Sequence, residues 1–141
     1  MLFGKKTATV DFPIQRSEAE WRESLPVPAY KVLREHGTER AHTSPLNAEK
    51  RPGMFTCAGC GTPVFEAETK FESGTGWPSF TSPVEGHVGE HDDSSFFMRR
   101  TEVHCAACGG HLGHVFPDGP EPTGLRYCIN GVSLEFKPHP G

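Results

Sequence analysis

Two short cysteine units constrain this chain more than any other feature. Cys57-Ala58-Gly59-Cys60-Gly61 and Cys105-Ala106-Ala107-Cys108-Gly109 lie 45 positions apart, counted from Cys60 to Cys105. In each unit the two-residue spacer lets both sulfurs face one ion. The glycine that follows permits the positive-φ turn that aims backbone amides back at the sulfurs. Four thiolates close a tetrahedral site completely, so a metal held there is structural rather than catalytic. Zn2+ is the expected ion; an iron–sulfur cluster and redox-active dithiols are the competing uses of such pairs. Binding would add on the order of 10 kcal/mol to folding. Such a staple suits a modest core: hydrophobic residues make up 35% of the 141 positions, against 16 glycines and 13 prolines.

That load of helix breakers predicts many short strands with ordered turns in a mainly β domain. Residues 54–56 and 62–65 read as a hairpin closed by the first cysteine unit. Residues 95–103 are the best strand pattern in the chain and run into the second unit, with another strand at 112–116. Residues 81–94 read as turns, and 126–130 with 132–136 as a strand pair about Gly131. Two short helices precede all of this. Ser17 and Glu20 make a capping box, and that helix runs to about Ser24, stopped by Pro26. The second spans 28–36, with Pro28 in its first turn and Gly37 as its stop. Residues 1–16 are expected to form an extended arm and 17–141 a single domain.

The formal net charge of −4 is spread without runs, which excludes the clustered basic face of a nucleic-acid binder. No stretch has the form of a signal peptide or a membrane span. A cytoplasmic protein is the expectation, and there paired cysteines are used for metal more than for disulfides.

Five cysteines minus the two pairs leave Cys128, in Leu125-Arg126-Tyr127-Cys128-Ile129-Asn130. In a strand, Arg126, Cys128 and Asn130 share one face and Tyr127 and Ile129 the other. A guanidinium beside a thiol favours the thiolate, the form that attacks electrophiles. The pattern alone equally accommodates a buried structural cysteine. His111 and His114 follow the second cysteine unit. Residues three apart on a regular strand face opposite ways, so both reach one site only if His111 sits in the turn or Gly113 bends the strand.

These stretches, with Gly74-x-Gly76-Trp77-Pro78-Ser79-Phe80, Arg100-Thr101-Glu102-Val103 and His114-Val115-Phe116-Pro117-Asp118-Gly119, resemble the peptide methionine-R-sulfoxide reductases, the B-type reductases. The resemblance runs in order from about Ser17 to Phe136. It implies two antiparallel sheets, with a zinc ion on the four paired cysteines opposite the active face, and reduction of the R epimer of methionine sulfoxide, free or in proteins. By position, Cys128 matches the nucleophile, and His111 and His114 the residues that bind and protonate the sulfoxide oxygen. Arg126 and Asn130 match polar neighbours of the nucleophile, and Asp118 a polar neighbour of the histidines. Trp77 matches the indole that packs on the substrate methyl group, with Phe116 and Ser79 as further substrate contacts. Two departures stand out. Many members carry a resolving cysteine where this chain has Thr75, and a serine where it has Gly131. Without a resolving thiol, a sulfenic acid on Cys128 must meet an external one: thioredoxin, or glutathione with glutaredoxin. A monomer without nucleic-acid or membrane partners is expected. The other reading is a non-catalytic, zinc-stapled binding or chaperone module of the same fold; the histidine and cysteine stretches speak for the enzyme.

Overall fold

The computed structural model describes residues 12–94 and 99–139. The capping box forms as expected: the Ser17 side chain accepts from the Glu20 amide and the Glu20 side chain accepts from the Ser17 amide at the start of α1 (Glu18–Ser24). α2 (Val27–Glu35) ends one residue earlier than expected, because His36 rather than Gly37 takes the left-handed turn, at φ 58. The inward faces of the two helices bury Trp21, Ala29, Tyr30, Val32 and Leu33. No helix among the described residues is long and apolar enough to cross a membrane.

The rest is β structure in two antiparallel sheets. Three strands, β1 (Gly53–Cys57), β2 (Pro63–Glu66) and β9 (Leu134–Pro138), form one sheet in the order β2-β1-β9. The other has six: β3 (Lys70–Phe71), β4 (Ser79–Phe80), β5 (Val88–Asp93), β6 (Arg100–Cys105), β7 (His111–Phe116) and β8 (Arg126–Ile129). Their order is β3-β4-β8-β7-β6-β5. Phe55, Phe65, Phe80, Val103, Leu112, Tyr127 and Ile129 are buried in one core. Phe80 of the larger sheet stacks on Phe65 of the smaller, with ring centroids 4.4 Å apart, and meets Phe55 edge-on at 5.1 Å.

Three local expectations change. Residues 126–130 and 132–136 do not pair. A 3-10 turn at Gly131–Ser133 carries the chain out of the six-stranded sheet, and β9 pairs with β1 instead. The strand expected at 95–103 is observed from Arg100 to Cys105, while 95–98 lie outside the described residues. Turn-rich 81–94 contains β5, whose polar sequence Val-Gly-Glu-His-Asp-Asp is paired along its whole length with β6. An edge strand with one neighbour and half its residues exposed needs no apolar pattern. Of the expected arm, 1–11 lie outside the described residues. At its visible end Ile14 donates its amide to Ala107 on the second cysteine turn, at 2.8 Å.

Candidate active site and metal centre

The strand register draws a single file of residues across the six-stranded sheet: Phe71, Ser79, Cys128, His114, Glu102 and His91, each the direct partner of the next. Direct partners put their side chains on the same face. Arg126 and Asn130, two residues either side of Cys128, join that face, while Tyr127 and Ile129 go to the core. Three residues on from Glu102, Cys105 falls on the opposite face of β6 with buried Val103. The lone thiol and the cysteine cluster therefore lie on opposite sides of the sheet.

The histidine problem is solved by a bulge. Val103 pairs with Gly113 but His104 pairs with His111, a shift that skips Leu112. It brings two histidines three apart to one face, their rings edge to face with centroids 5.4 Å apart. Gly113 is needed for a second reason. A Cβ there would strike the carbonyl oxygen of Cys128 and lie 2.9 Å from Ile129 Cα, so only glycine allows β7 this close to β8.

A pocket of about 120 Å3 opens over Cys128, lined by Thr38, Trp77, Arg100, Gly113, His114, Phe116 and Asn130. Trp77 and Phe116 give it two aromatic sides. The Trp77 indole N–H donates to the Glu39 carbonyl at 3.0 Å. Thr75, in the same loop, and Arg126 both favour the thiolate form of Cys128. Ser79 is buried behind the loop, where its hydroxyl bonds Ser73 at 2.8 Å and the Trp77 carbonyl at 3.1 Å, so it braces the loop rather than lining the pocket. His111 also stands back from the pocket. It lines an adjoining cleft shared with His114, and its Nδ1 meets Glu102 at 2.7 Å. His114 Nε2 bonds Asp93 at 3.0 Å. Burial lowers His114 below the ordinary imidazole value, with Asp93 pulling the other way. A protonated His114 is thus a stronger proton donor than a free imidazole.

Asp118 is placed differently from expectation. Asp118 does not attend the histidines; it holds Arg126 through two bonds of 2.9 and 3.1 Å, and the guanidinium lies over Phe116. The carboxylates on the histidines are Asp93 and Glu102. Nor does Arg126 make Cys128 an easily ionised thiol. Burial pushes Cys128 up, and the opposing pull of Arg126 is too weak to reverse it, because that charge is already paired with Asp118.

Sequence reasoning missed Glu39, Asp93 and Glu102. Glu39 ties the site together: its carboxylate accepts from the amides of Gly131 and Val132 at 2.7 and 3.1 Å, and its own amide donates to Asn130 Oδ1 at 2.9 Å. Asn130 in turn donates to the Leu112 carbonyl at 3.0 Å. Glu102 was findable, since it alternates with Arg100 on one face of the expected strand. Glu39 and Asp93 had no such local signal.

At the cysteine cluster, Cys57 and Cys108 sulfurs are 3.8 Å apart and Cys60 and Cys105 sulfurs 3.6 Å. Around a tetrahedral ion with bonds of about 2.3 Å, sulfurs sit about 3.8 Å apart. Both following glycines take the expected positive φ, 82 at Gly61 and 77 at Gly109. The Gly110 amide points at Cys108 Sγ from 3.4 Å. All four sulfurs lie within 4.8 Å of one another, so the cluster could hold a metal ion.

A family model described as the SelR domain matches residues 25–138. The chain belongs to the SelR domain family. The match takes in the cysteine cluster, the tryptophan loop and the whole thiol file. Among curated relatives, a peptide methionine sulfoxide reductase MsrB of Agrobacterium fabrum is 56% identical over 89% of this chain and 93% of its own length. Proteins of the same name from Bradyrhizobium diazoefficiens and Methanosarcina mazei are each 55% identical, over 94% and 87% of this chain and 96% and 89% of their own. A SelR domain with these relatives has the two-sheet architecture that the sequence resemblance implied.

Proposed function

We infer that this SelR domain is an enzyme that reduces methionine-R-sulfoxide to methionine, an oxidoreductase acting through Cys128. The observation that carries the reading is the file Cys128–His114 under an aromatic-sided pocket: a nucleophile, a proton donor and an apolar wall at one point. Sulfoxide sulfur becomes electrophilic when its oxygen is protonated or strongly hydrogen-bonded. His114 supplies that proton, with His111 against it as a second imidazole. The Cys128 thiolate attacks the sulfur side of the bond. The oxygen passes to Cys128 as a sulfenic acid, methionine leaves as a thioether, and two electrons move from the cysteine sulfur to the substrate sulfur. Trp77 and Phe116 favour the methyl group over water. Asn130 and Glu39 keep the strand end and the tryptophan loop in place.

Burial raises Cys128 above the ordinary thiol value, and Arg126 and Thr75 act in the opposite direction, toward the attacking thiolate. The four-cysteine cluster holds Zn2+ structurally; its thiolates have no open position and face away from the chemistry. Thr75 leaves the sulfenic acid without an internal resolving thiol. An external thiol attacks it, releasing water and forming a mixed disulfide that a second thiol clears; thioredoxin, or glutathione with glutaredoxin, fits that role. Free methionine sulfoxide and oxidised proteins are both candidate substrates.

The test is turnover of separated R and S sulfoxides by the purified protein and its Cys128→Ser variant, with excess dithiol. Reduction of the R epimer by the parent alone is expected. A Cys128→Ser protein that still turns over contradicts the reading.

A further inference from the structure

Glu102 is the centre of an arrangement that sulfoxide reduction does not require. Its side chain is 3% exposed, and four imidazoles converge on it. His111 and His36 approach Oε2, at 2.7 and 3.4 Å; His91 and His104 approach Oε1 through their Nδ1 atoms, at 2.7 and 3.3 Å. His111 occupies one oxygen of this buried carboxylate, while the other faces His91 and His104. His91 is 60% exposed, so packing does not force its ring inward.

The Oε1 side has the features of a ligand set. Glu102 and His104 stand two apart on β6, and His91 is the direct partner of Glu102 on β5, so all three project from one face of paired strands. His104 is seated by Gly89 across the ladder: any Cβ there would strike the ring at Nε2 and lie 2.9 Å from Cε1. That glycine lets the ring lie over β5 with Nδ1 turned to the carboxylate. The three ligand atoms lie within 4.8 Å of one another. Around a four-coordinate ion with bonds near about 2.1 Å, neighbouring ligands are about 3.4 Å apart. His104 already matches that separation, and the solvent-exposed His91 needs only a small outward swing. A cleft of about 400 Å3 reaches two of the three ligands, His91 and Glu102.

We propose that His91, Glu102 and His104 form a second metal site, separate from the four cysteines, that binds one borderline divalent transition ion such as Zn2+, Ni2+ or Co2+. Two imidazoles and a carboxylate suit these ions, and water fills the remaining positions on the open side. Hard ions such as Mg2+ are excluded by the nitrogen ligands. The site uses neither Cys128 nor His114, and it leaves Oε2 of Glu102 on His111.

The test is Co2+ titration of the full chain with its cysteine cluster already filled with Zn2+, followed by visible absorption and metal analysis. One extra Co2+ per chain is expected, with weak visible bands and no near-ultraviolet thiolate-to-cobalt charge transfer. His91→Ala should weaken that binding by about tenfold or more, since a ligand costs at least as much as its supporting shell. His36→Ala should leave it unchanged. Absence of a second ion, a thiolate band, or unchanged affinity in His91→Ala would overturn the proposal. So would loss of binding in His36→Ala, which would put the ion on Oε2.

Discussion

Replacing Gly113 by alanine should damage catalysis while sparing the metal centre. Gly113 sits in β7 beside His114, and its neighbours across the ladder are the backbone atoms of Cys128 and Ile129. A Cβ added there would lie 2.9 Å from Ile129 Cα, where ordinary contact begins at 3.4 Å, and the Cys128 carbonyl oxygen is closer still. All these atoms are backbone, so no side chain can swing aside. β7 and β8 must part by at least half an ångström at the point where His114 faces Cys128. Overpacking of this kind costs about 1–3 kcal/mol, which lowers Tm by several degrees in a domain of this size. Displacement of catalytic groups by about 1 Å costs on the order of a hundredfold in rate, so a fall of about tenfold to a hundredfold in kcat/KM is expected. The cysteine turns lie on the other face of the sheet and should keep their metal. The assay is kcat/KM for methionine-R-sulfoxide under saturating dithiol, with metal content and thermal unfolding measured on the same preparation. Parental kcat/KM together with parental Tm would refute the argument, because the close approach of β7 to β8 would then not be real.

Three further outcomes follow from the site. Asp118 raises Cys128 and Arg126 lowers it, so Asp118→Asn should shift the pH profile of Cys128 alkylation to lower pH and Arg126→Leu to higher; identical profiles would show that neither charge reaches the sulfur. Thr75 lies near enough to Cys128 to favour its thiolate, so Thr75→Cys should form a disulfide with Cys128 during turnover and speed recycling by thioredoxin; an introduced thiol that never bonds to Cys128 argues against the observed loop position. A Cβ at Gly131 would strike the Ser44 hydroxyl and lie 2.5 Å from Ser44 Cβ, so Gly131→Ser should cost about 1–3 kcal/mol in denaturant unfolding, with much of it recovered in the Gly131→Ser, Ser44→Gly double variant; additive effects would mean the two positions are not coupled.

The Gly131 result explains a departure that the sequence resemblance left without a cause: the small residue makes room for Ser44, whose side chain caps the 3-10 helix Pro45–Ala48. It marks where the linear text runs out. What the chain determines by itself is local or compositional. The cysteine spacing, with its two glycines at positive φ, is a property of five adjacent residues; the capping box is a property of four. Cys128 emerges as the one cysteine outside the two pairs by counting, and the alternation of Arg126, Cys128 and Asn130 needs only strand periodicity. Tertiary structure decided whatever depends on register and burial. It sent β9 to a different sheet from β8, inserted the bulge that brings His111 round to His114, and matched Cys128 with His114 and Glu102 in one file. It also turned Asp118 onto Arg126, put Asp93 and Glu102 on the histidines, and let burial outweigh the guanidinium at Cys128. Short-range hydrogen bonds and turn preferences are encoded in neighbouring residues, whereas cross-strand partners and desolvation are sums over segments far apart in the chain, and no single segment carries them.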